Sequence, residues 1–396
     1  MSAAKSSVLE RLHKRSLAVG GVFLVALFAG FLLDRGQFFR SYLFGYLFWV
    51  EVAVGALGLS MLSHMTGGLW GIVPRRFHEA AARTFPALAV GFVPIALGAP
   101  ALYLWARPEA VAEDALLQAK APYLNVPFFL LRAAVYFVIW IGLAYRLSSW
   151  SRLQDGGPSA SRAASLRGLS AFGVVLLFLS ATFASVDWGM SLAPHWFSTI
   201  YGVLFIVSAG LSALSLTILL MARLAGEEPF KSALAPETVH DLGKLLLTFT
   251  MLWGYVNFSQ FLITWSGNLS EETPFYVHRL HGAWGEVAVL LLLFHFALPF
   301  ALLLSRPLKR NPKALATVAA LMLLMQVVDL FWLVAPDLLA HGEGEAPLRI
   351  HWMDAASVLG LGGVWLAFFT RQALGAPLLP AGEPALVGVV ARAEAH

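Results

Sequence analysis

The sequence predicts an all-helical integral membrane protein that crosses the lipid bilayer about ten times. Of the 396 residues, 59% are hydrophobic and only 13% are charged, whereas soluble domains carry roughly 25% charged residues. Apolar runs of about twenty residues recur along the chain, and a helix of that length crosses a hydrocarbon layer of ~30 Å. Helices are expected because lipid offers no hydrogen-bond partners to an open backbone.

Ten segments qualify as membrane spans, and proline and glycine residues mark most of the joints between them. The predicted spans are residues 16–33, 42–66, 84–106, 127–149, 167–186, 196–222, 242–265, 282–304, 314–336 and 352–374. The first span follows a basic segment but precedes no small-residue cleavage site, so we predict a retained helix rather than a signal peptide. Residues 1–376 are predicted to form one polytopic membrane domain, and residues 377–396 a cytoplasmic tail.

The distribution of lysine and arginine predicts that both termini are cytoplasmic, because cytoplasmic loops are enriched in basic residues. With the N-terminus inside, the inner segments hold 20 of the 27 basic residues and the outer loops hold six. The net charge of +4 is spread between apolar runs, which excludes a nucleic-acid-binding patch. The chain has no cysteine, which excludes disulfides, cysteine-ligated iron–sulfur clusters and cysteine zinc sites.

Ionisable side chains inside the predicted spans are the candidates for function, because a charge at the bilayer centre costs ~2.5–3.5 kcal/mol. Three carboxylates lie in the outer half of the membrane and are predicted to carry protons: Glu51, Glu286 and Asp329. His64 and His295 lie in the inner half and are predicted to act as proton relays. Together these groups indicate a proton-conducting or quinol-facing polar zone.

Two further candidates, Asp187 and His195, lie near the outer ends of spans and are predicted to act on the outer face. They are equally consistent with solvated helix caps or with contacts to partner proteins. The alternative for the whole polar set is that it only holds helices together. Pairing of Arg132 with Glu51 or Glu286 would be one such contact.

Histidine spacing raises the question of haem. His281 and His295 are fourteen residues apart, so they lie on one helix face about 21 Å apart, and His64 and His78 share this spacing. Glycines and Pro74 end span 2 before His78, which predicts that His78 lies in a basic cytoplasmic loop. Only His64 and His295 then remain as a pair at one depth, so these histidines could hold at most one haem. The sequence favours a chain with no metal site.

The most distinctive stretch is residues 185–202, which read SVDWGMSLAPHWFSTIYG. With residues 253–268 (WGYVNFSQFLITWSGN), 271–276 (EETPFY) and 298–310, it resembles the ActF-like membrane subunits of bacterial alternative complex III. These are relatives of the polysulfide-reductase and NrfD-type membrane anchors. The resemblance covers the ten-helix layout, and its motifs lie within residues 185–310. Ala193 stands where the family usually has an acidic residue, which is a departure from the pattern.

The resemblance implies two four-helix bundles, formed by spans 2–5 (about residues 42–149) and spans 6–9 (about residues 196–336), flanked by spans 1 and 10. It implies a complex of the bacterial inner membrane that oxidises quinol and passes electrons to cytochrome c or a terminal oxidase. The implied partners are an ActC-like sister subunit and periplasmic subunits that hold c-type haem and iron–sulfur clusters. The chain itself is expected to bind no metal, to contact lipid and to meet quinone.

Two other hypotheses stay open on the sequence alone. A secondary transporter would also place carboxylates within ten spans, but such proteins have discontinuous helices at matching places in two halves. Span 3 carries Pro94 and Pro100, whereas no matching break is expected in span 8. A purely structural membrane anchor would use its polar residues only to join helices and partners.

Overall fold

The structure, a computed structural model, describes residues 6–157, 159–339, 347–383 and 386. In this part of the chain, ten helices are long and apolar enough to cross a membrane. Spans 1 to 10 are, in order, Ser7–Leu33, Arg35–Thr66, Arg75–Leu97, Val126–Leu153, Ala160–Leu192, Tyr201–Leu224, Pro236–Gly267, Gly282–Leu304, Pro312–Leu339 and Trp352–Leu374. The prediction of ten membrane-spanning helices is confirmed.

Most spans extend beyond the predicted apolar runs, because polar residues continue the helices at their ends. Span 2 shows this most clearly, since it starts at Arg35 and only Asp34 separates it from span 1. The Asp34 carboxylate caps span 2 by accepting a hydrogen bond from the Gln37 backbone N–H at 2.9 Å. The earlier start places Glu51 in the middle of span 2 rather than in its outer half.

Span 3 is a series of short helices, Arg75–Ala82, Phe85–Gly91 and Val93–Leu97. The second and third each carry a proline in the first turn, where its missing N–H removes no helical hydrogen bond. The first helix corrects the sequence analysis, because His78 lies within it and is 2% exposed rather than in a loop. The His78 ring is hydrogen-bonded to Thr217 of span 6 at 3.0 Å.

The basic residues that indicated a loop are buried here because carboxylates neutralise them. Arg76 pairs with Glu79 at 2.7 Å and with Asp155 in the loop after span 4. Arg75 pairs with Glu383, which lies in the segment after span 10. A buried charge is tolerated when it is paired and hydrogen-bonded, so a segment that reads as soluble loop packs inside the protein.

Span 8 is continuous, as expected, but part of it is wider than an α-helix. Helix Gly282–Leu291 passes into a π-helical segment, Leu292–Ala297, before α-helix resumes at Leu298–Leu304. Pro299 stands at the start of the last piece and has no N–H to donate to the carbonyl of His295. A wider turn before the proline is one way in which the helix accommodates this loss, and such turns are frequent at functional sites.

Span 2 is the central helix and contacts spans 1, 3, 5, 6, 9 and 10. Its closest approach is at Gly55, where a Cβ atom would lie 1.8 Å from the carbonyl oxygen of Ala209 in span 6. Spans 1 and 10 also pack backbone to backbone, since a Cβ atom at Gly363 would lie 2.4 Å from the Cα atom of Gly20. Glycine allows these contacts, which are a common means of helix association in lipid.

Both ends of the described chain lie on one side of the molecule, which we call the N-side. The Ser6 hydroxyl donates a hydrogen bond to Glu227, in the loop after span 6, at 2.6 Å. After span 10 the chain returns to the loop after span 4, where a Cβ atom at Gly382 would lie 2.0 Å from the carbonyl oxygen of Gln154. The remainder of the predicted tail after residue 383, except residue 386, lies outside the described residues.

Candidate functional site

The structure brings together three of the predicted residues, Glu51, Asp329 and His295, from spans 2, 9 and 8. Glu51 is 1% exposed, and its Oε2 atom has no hydrogen-bond partner among the described residues. It lies close enough to Asp329 for the two carboxyl groups to interact electrostatically. Two buried carboxyl groups within electrostatic range of each other are costly to maintain, which makes the pair a functional candidate.

Asp329 is held by neutral donors. Its Oδ2 atom accepts a hydrogen bond from the indole N–H of Trp253, in span 7, at 3.1 Å. The amide of Gln326, one turn earlier in span 9, donates to the same oxygen at 3.3 Å. Among the described residues no cation pairs with Asp329, and neutral hydrogen bonds orient its carboxyl group.

His295 lies in the π-helical segment of span 8 and is fully buried. Its ring packs against the Trp253 indole, with 4.2 Å between the ring centroids. Because Trp253 also bonds Asp329, the histidine and the carboxylate lie at one level of the molecule. The sequence analysis placed them in different halves of the membrane, since it had no means to detect that Trp253 contacts both.

A cavity of about 690 Å³ opens beside Asp329, between spans 7, 8 and 9. Its walls are mostly apolar and aromatic, including Phe261, Phe296 and Trp332. Phe258 stands at its edge and is 62% exposed, so the cavity opens on the apolar outer surface of the molecule. Small-molecule sites typically have volumes of ~300–1,000 Å³, with apolar walls and a few placed polar groups.

Glu286 does not join this cluster. It lies one turn inside the start of span 8 and is exposed on the outer surface of that helix. His64 is also apart from the cluster, thirteen residues and about 20 Å beyond Glu51 along span 2. It is half-buried near the N-side, where the charges of Arg75 and Arg76 act on it.

Asp187 forms a buried ion pair with Arg132, which therefore pairs with neither Glu51 nor Glu286. The Arg132 Nε and Nη2 atoms each donate to Asp187 at 2.8 Å. The Tyr136 hydroxyl donates to the same carboxylate at 2.7 Å. The contact joins spans 4 and 5, and Asp187 is fully buried.

His195 lies exposed on the side opposite the N-side and is hydrogen-bonded to Asp114, in the loop after span 3. This hydrogen bond lowers the pKa of Asp114 below its ordinary value of 3.8. The two residues of the distinctive 185–202 stretch that were predicted to be functional therefore connect loops and helices, and neither lies in the Glu51–Asp329–His295 cluster.

Trp253 and Gln326 belong to the site, although the sequence analysis considered only ionisable side chains. Gln326 lies three residues before Asp329, and that spacing puts both on one helix face. Trp253 lies four residues before Asn257, whose amide donates to the Trp253 carbonyl at 3.0 Å. Helical spacing from Asp329, which was already a candidate, would have found Gln326, whereas no spacing from a candidate residue pointed to Trp253.

Ten apolar helices with a carboxylate in the wall of a cavity that opens on the outer surface define a multi-pass helical membrane protein. A scan against protein-family models finds no match to this chain. A search of the curated proteins finds no similar sequence. Within the described ranges, no group of three or more His, Asp or Glu residues is placed to hold a metal ion.

Proposed function

We propose that this chain is a non-metal membrane subunit of a quinol-oxidising respiratory complex of the alternative complex III type. Its task is to bind quinol in the cavity between spans 7, 8 and 9. The observation that carries the proposal is Asp329 in the wall of an apolar, aromatic cavity that opens outward. A quinol is a flat ring with two hydroxyl groups and an apolar tail, so it needs aromatic walls, access from lipid and a polar group for its hydroxyl.

Asp329 supplies that polar group. Its carboxylate accepts a hydrogen bond from a quinol hydroxyl and takes the proton when the quinol is oxidised. Oxidation of one quinol to quinone releases two protons and two electrons, and the electrons leave to haem or iron–sulfur centres in partner subunits. Glu51 interacts electrostatically with Asp329, and His295 contacts the Trp253 indole that is hydrogen-bonded to Asp329. These two groups accept the proton in turn and pass it out of the cluster, so that Asp329 is free to accept the second one.

The proposal includes an arrangement of the ten helices as two four-helix bundles, spans 2–5 and spans 6–9, flanked by spans 1 and 10. It is supported by contacts of span 2 with spans 3 and 5, and of span 6 with spans 7 and 9. Spans 2 and 6 pack on each other and join the two bundles. Spans 1 and 10 pack together.

We place the protein in the bacterial inner membrane with the N-side in the cytoplasm, because the basic loops lie on that side. An ActC-like sister subunit lies beside it in the membrane. Subunits that carry c-type haem and iron–sulfur clusters cover the opposite, periplasmic side.

The first experiment is purification in mild detergent through a tag on this chain, followed by haem spectroscopy and identification of the proteins that accompany it. In the purified complex, Asp329→Asn is expected to lower kcat/KM for quinol about a hundredfold, the usual range for loss of a proton acceptor. Glu286→Gln is the matched control, since Glu286 is a carboxylate of span 8 that lies outside the cluster.

Each outcome of these measurements decides between hypotheses. A normal rate of quinol oxidation with Asp329→Asn and a low rate with Glu286→Gln would show that Glu286, and not Asp329, carries the proton. Changes in assembly yield alone would identify a structural anchor. A colourless protein that purifies alone would overturn the proposal.

A secondary transporter is the second candidate, and one specific observation favours it. Spans 3 and 8 both depart from a regular α-helix, since span 3 is a series of short helices and span 8 contains a π-helical segment, and they hold the same position in the first and second five spans of the chain. Discontinuous helices in corresponding positions are a feature of transporter folds. Reconstitution of the lone chain in vesicles tests this: proton-coupled uptake of a solute would establish it. Absence of uptake by the lone chain, together with quinol oxidation by the purified complex, would exclude it.

A further inference from the structure

The helix Thr273–Leu280, which we call the cavity helix, connects spans 7 and 8 on the side opposite the N-side. Tyr276 and Leu280, one turn apart, line the cavity. Phe275 and Arg279, also one turn apart, are buried but do not line it. A helix of eight residues is too short to be stable by itself. Its position therefore depends on the contacts made by Phe275 and Arg279.

Arg279 ties the cavity helix to span 9. Its guanidinium is completely buried and donates to the carboxylate of Asp337 at 2.6 Å. It also donates to the carbonyl of Leu333 at 2.8 Å and to that of Phe275 at 3.2 Å. The rigid, planar guanidinium fixes direction as well as distance when it makes several hydrogen bonds at once.

Phe275 ties the cavity helix to the 185–202 stretch. Its ring lies 3.7 Å from the centre of the Arg279 guanidinium, a cation–π contact. The ring also stacks on Trp196, with centroids 3.8 Å apart and planes 10° from parallel. The guanidinium, Phe275 and Trp196 therefore form a packed group behind the cavity wall.

Trp332 of span 9 connects this group directly to the cavity. Its side chain lines the cavity near Asp329. Its indole N–H donates to the backbone carbonyl of Arg279 at 3.3 Å. A displacement of Arg279 thus moves three parts of the wall together, namely Tyr276, Leu280 and Trp332.

We infer that the buried ion pair of Arg279 and Asp337 fixes the cavity helix and thereby sets the affinity of the cavity for quinol. This inference rests on the function proposed above. Both are positioning residues, because they act through Tyr276, Leu280 and Trp332 and do not line the cavity themselves. A wall that is already ordered loses less conformational freedom when the ligand binds, and so the ligand binds more tightly.

The test uses Asp337→Asn and Phe275→Leu in the purified complex, with a short-tailed naphthoquinone as the probe. Asp337→Asn keeps the shape of the side chain and removes its charge. Phe275→Leu keeps an apolar side chain and all charges, but removes the ring between Arg279 and Trp196. Both are expected to raise the Kd about tenfold. For quinol oxidation, KM is expected to rise while kcat stays within about twofold of wild type, the pattern of weakened ground-state binding.

Asp187→Asn is the matched control, because it breaks a buried ion pair on the same side of the molecule that does not line the cavity. Its Kd is expected to equal that of the wild type. Equal weakening by Asp187→Asn and Asp337→Asn would show a general loss of stability and overturn the inference.

Wild-type affinity in Asp337→Asn and Phe275→Leu would also overturn the inference while leaving the proposed function intact. If Asp337→Asn does not assemble, Phe275→Leu decides alone. A wild-type protein that binds no naphthoquinone would overturn the proposed function itself.

Discussion

Replacement of Asp187 by asparagine tests whether the 185–202 stretch serves stability. Asp187 is fully buried and accepts hydrogen bonds from two nitrogen atoms of Arg132 and from the Tyr136 hydroxyl. The Arg132 guanidinium also lies 3.8 Å from the centre of the Tyr123 ring. Asp187→Asn removes the negative charge and leaves the guanidinium buried without a counter-charge.

The expected cost follows from this geometry. Removal of one partner from a buried ion pair costs about 3–5 kcal/mol. The Arg132 side chain is 10% exposed and keeps its hydrogen bond to the Tyr123 carbonyl at 2.8 Å, so the lower end of the range applies. About 3 kcal/mol corresponds to a roughly 150-fold shift in the folding equilibrium, at 1.36 kcal/mol per factor of ten.

The assay is titration of the purified protein with SDS in mixed micelles, followed by tryptophan fluorescence. The double variant Arg132→Met/Asp187→Leu replaces both charges and is expected to be within ~1 kcal/mol of wild type. The reasoning is refuted if Asp187→Asn is as stable as wild type, or if the double variant is as unstable as the single one. A slower quinol oxidation by fully assembled Asp187→Asn would instead support the outer-face role that the sequence indicated.

Two further predictions concern helix packing and pH. Gly55→Ala places a methyl group against the Ala209 carbonyl and should lower the free energy of unfolding by ~1–3 kcal/mol in the same titration. In Gly142→Ala the added methyl group has no atom within 4 Å, so the free energy of unfolding should not fall. Equal losses in the two variants would contradict the packing described. The hydrogen bond from His195 lowers the pKa of Asp114 in the folded protein below 3.8. The ionised Asp114 carboxylate therefore stabilises the folded protein above pH 3.8, and this stabilisation is lost as the pH falls through the pKa of Asp114 in the folded protein. Amide hydrogen exchange in helix Ala115–Lys120 should therefore be faster in Asp114→Asn than in wild type near neutral pH, and the two rates should be equal at the acid extreme. A difference in rate that persists at the acid extreme would contradict this prediction.

The ten spans were predictable from the sequence because hydropathy is a local property that needs no knowledge of neighbours. Glu51, Asp329 and His295 were identifiable for the same reason, since each is an ionisable residue inside an apolar run. Their meeting was not predictable, because it depends on Trp253 of a fourth helix and on the π-helical segment of span 8. The interpretation from local sequence was wrong for His78, because two of the carboxylates that neutralise its basic neighbours, Asp155 and Glu383, are distant in the chain.

The pairing of Arg75 with Glu383 places a condition on how this protein is made. The two residues are separated by 308 positions, and ribosomes add about 5–20 residues per second, so Glu383 is synthesised roughly 15–60 s after Arg75. During that interval Arg75 lacks the carboxylate that neutralises it in the finished protein. The ion pair at the start of span 3 therefore forms only after the segment that follows span 10 has been synthesised. Until then, Arg75 must stay in contact with water or with the membrane-insertion machinery.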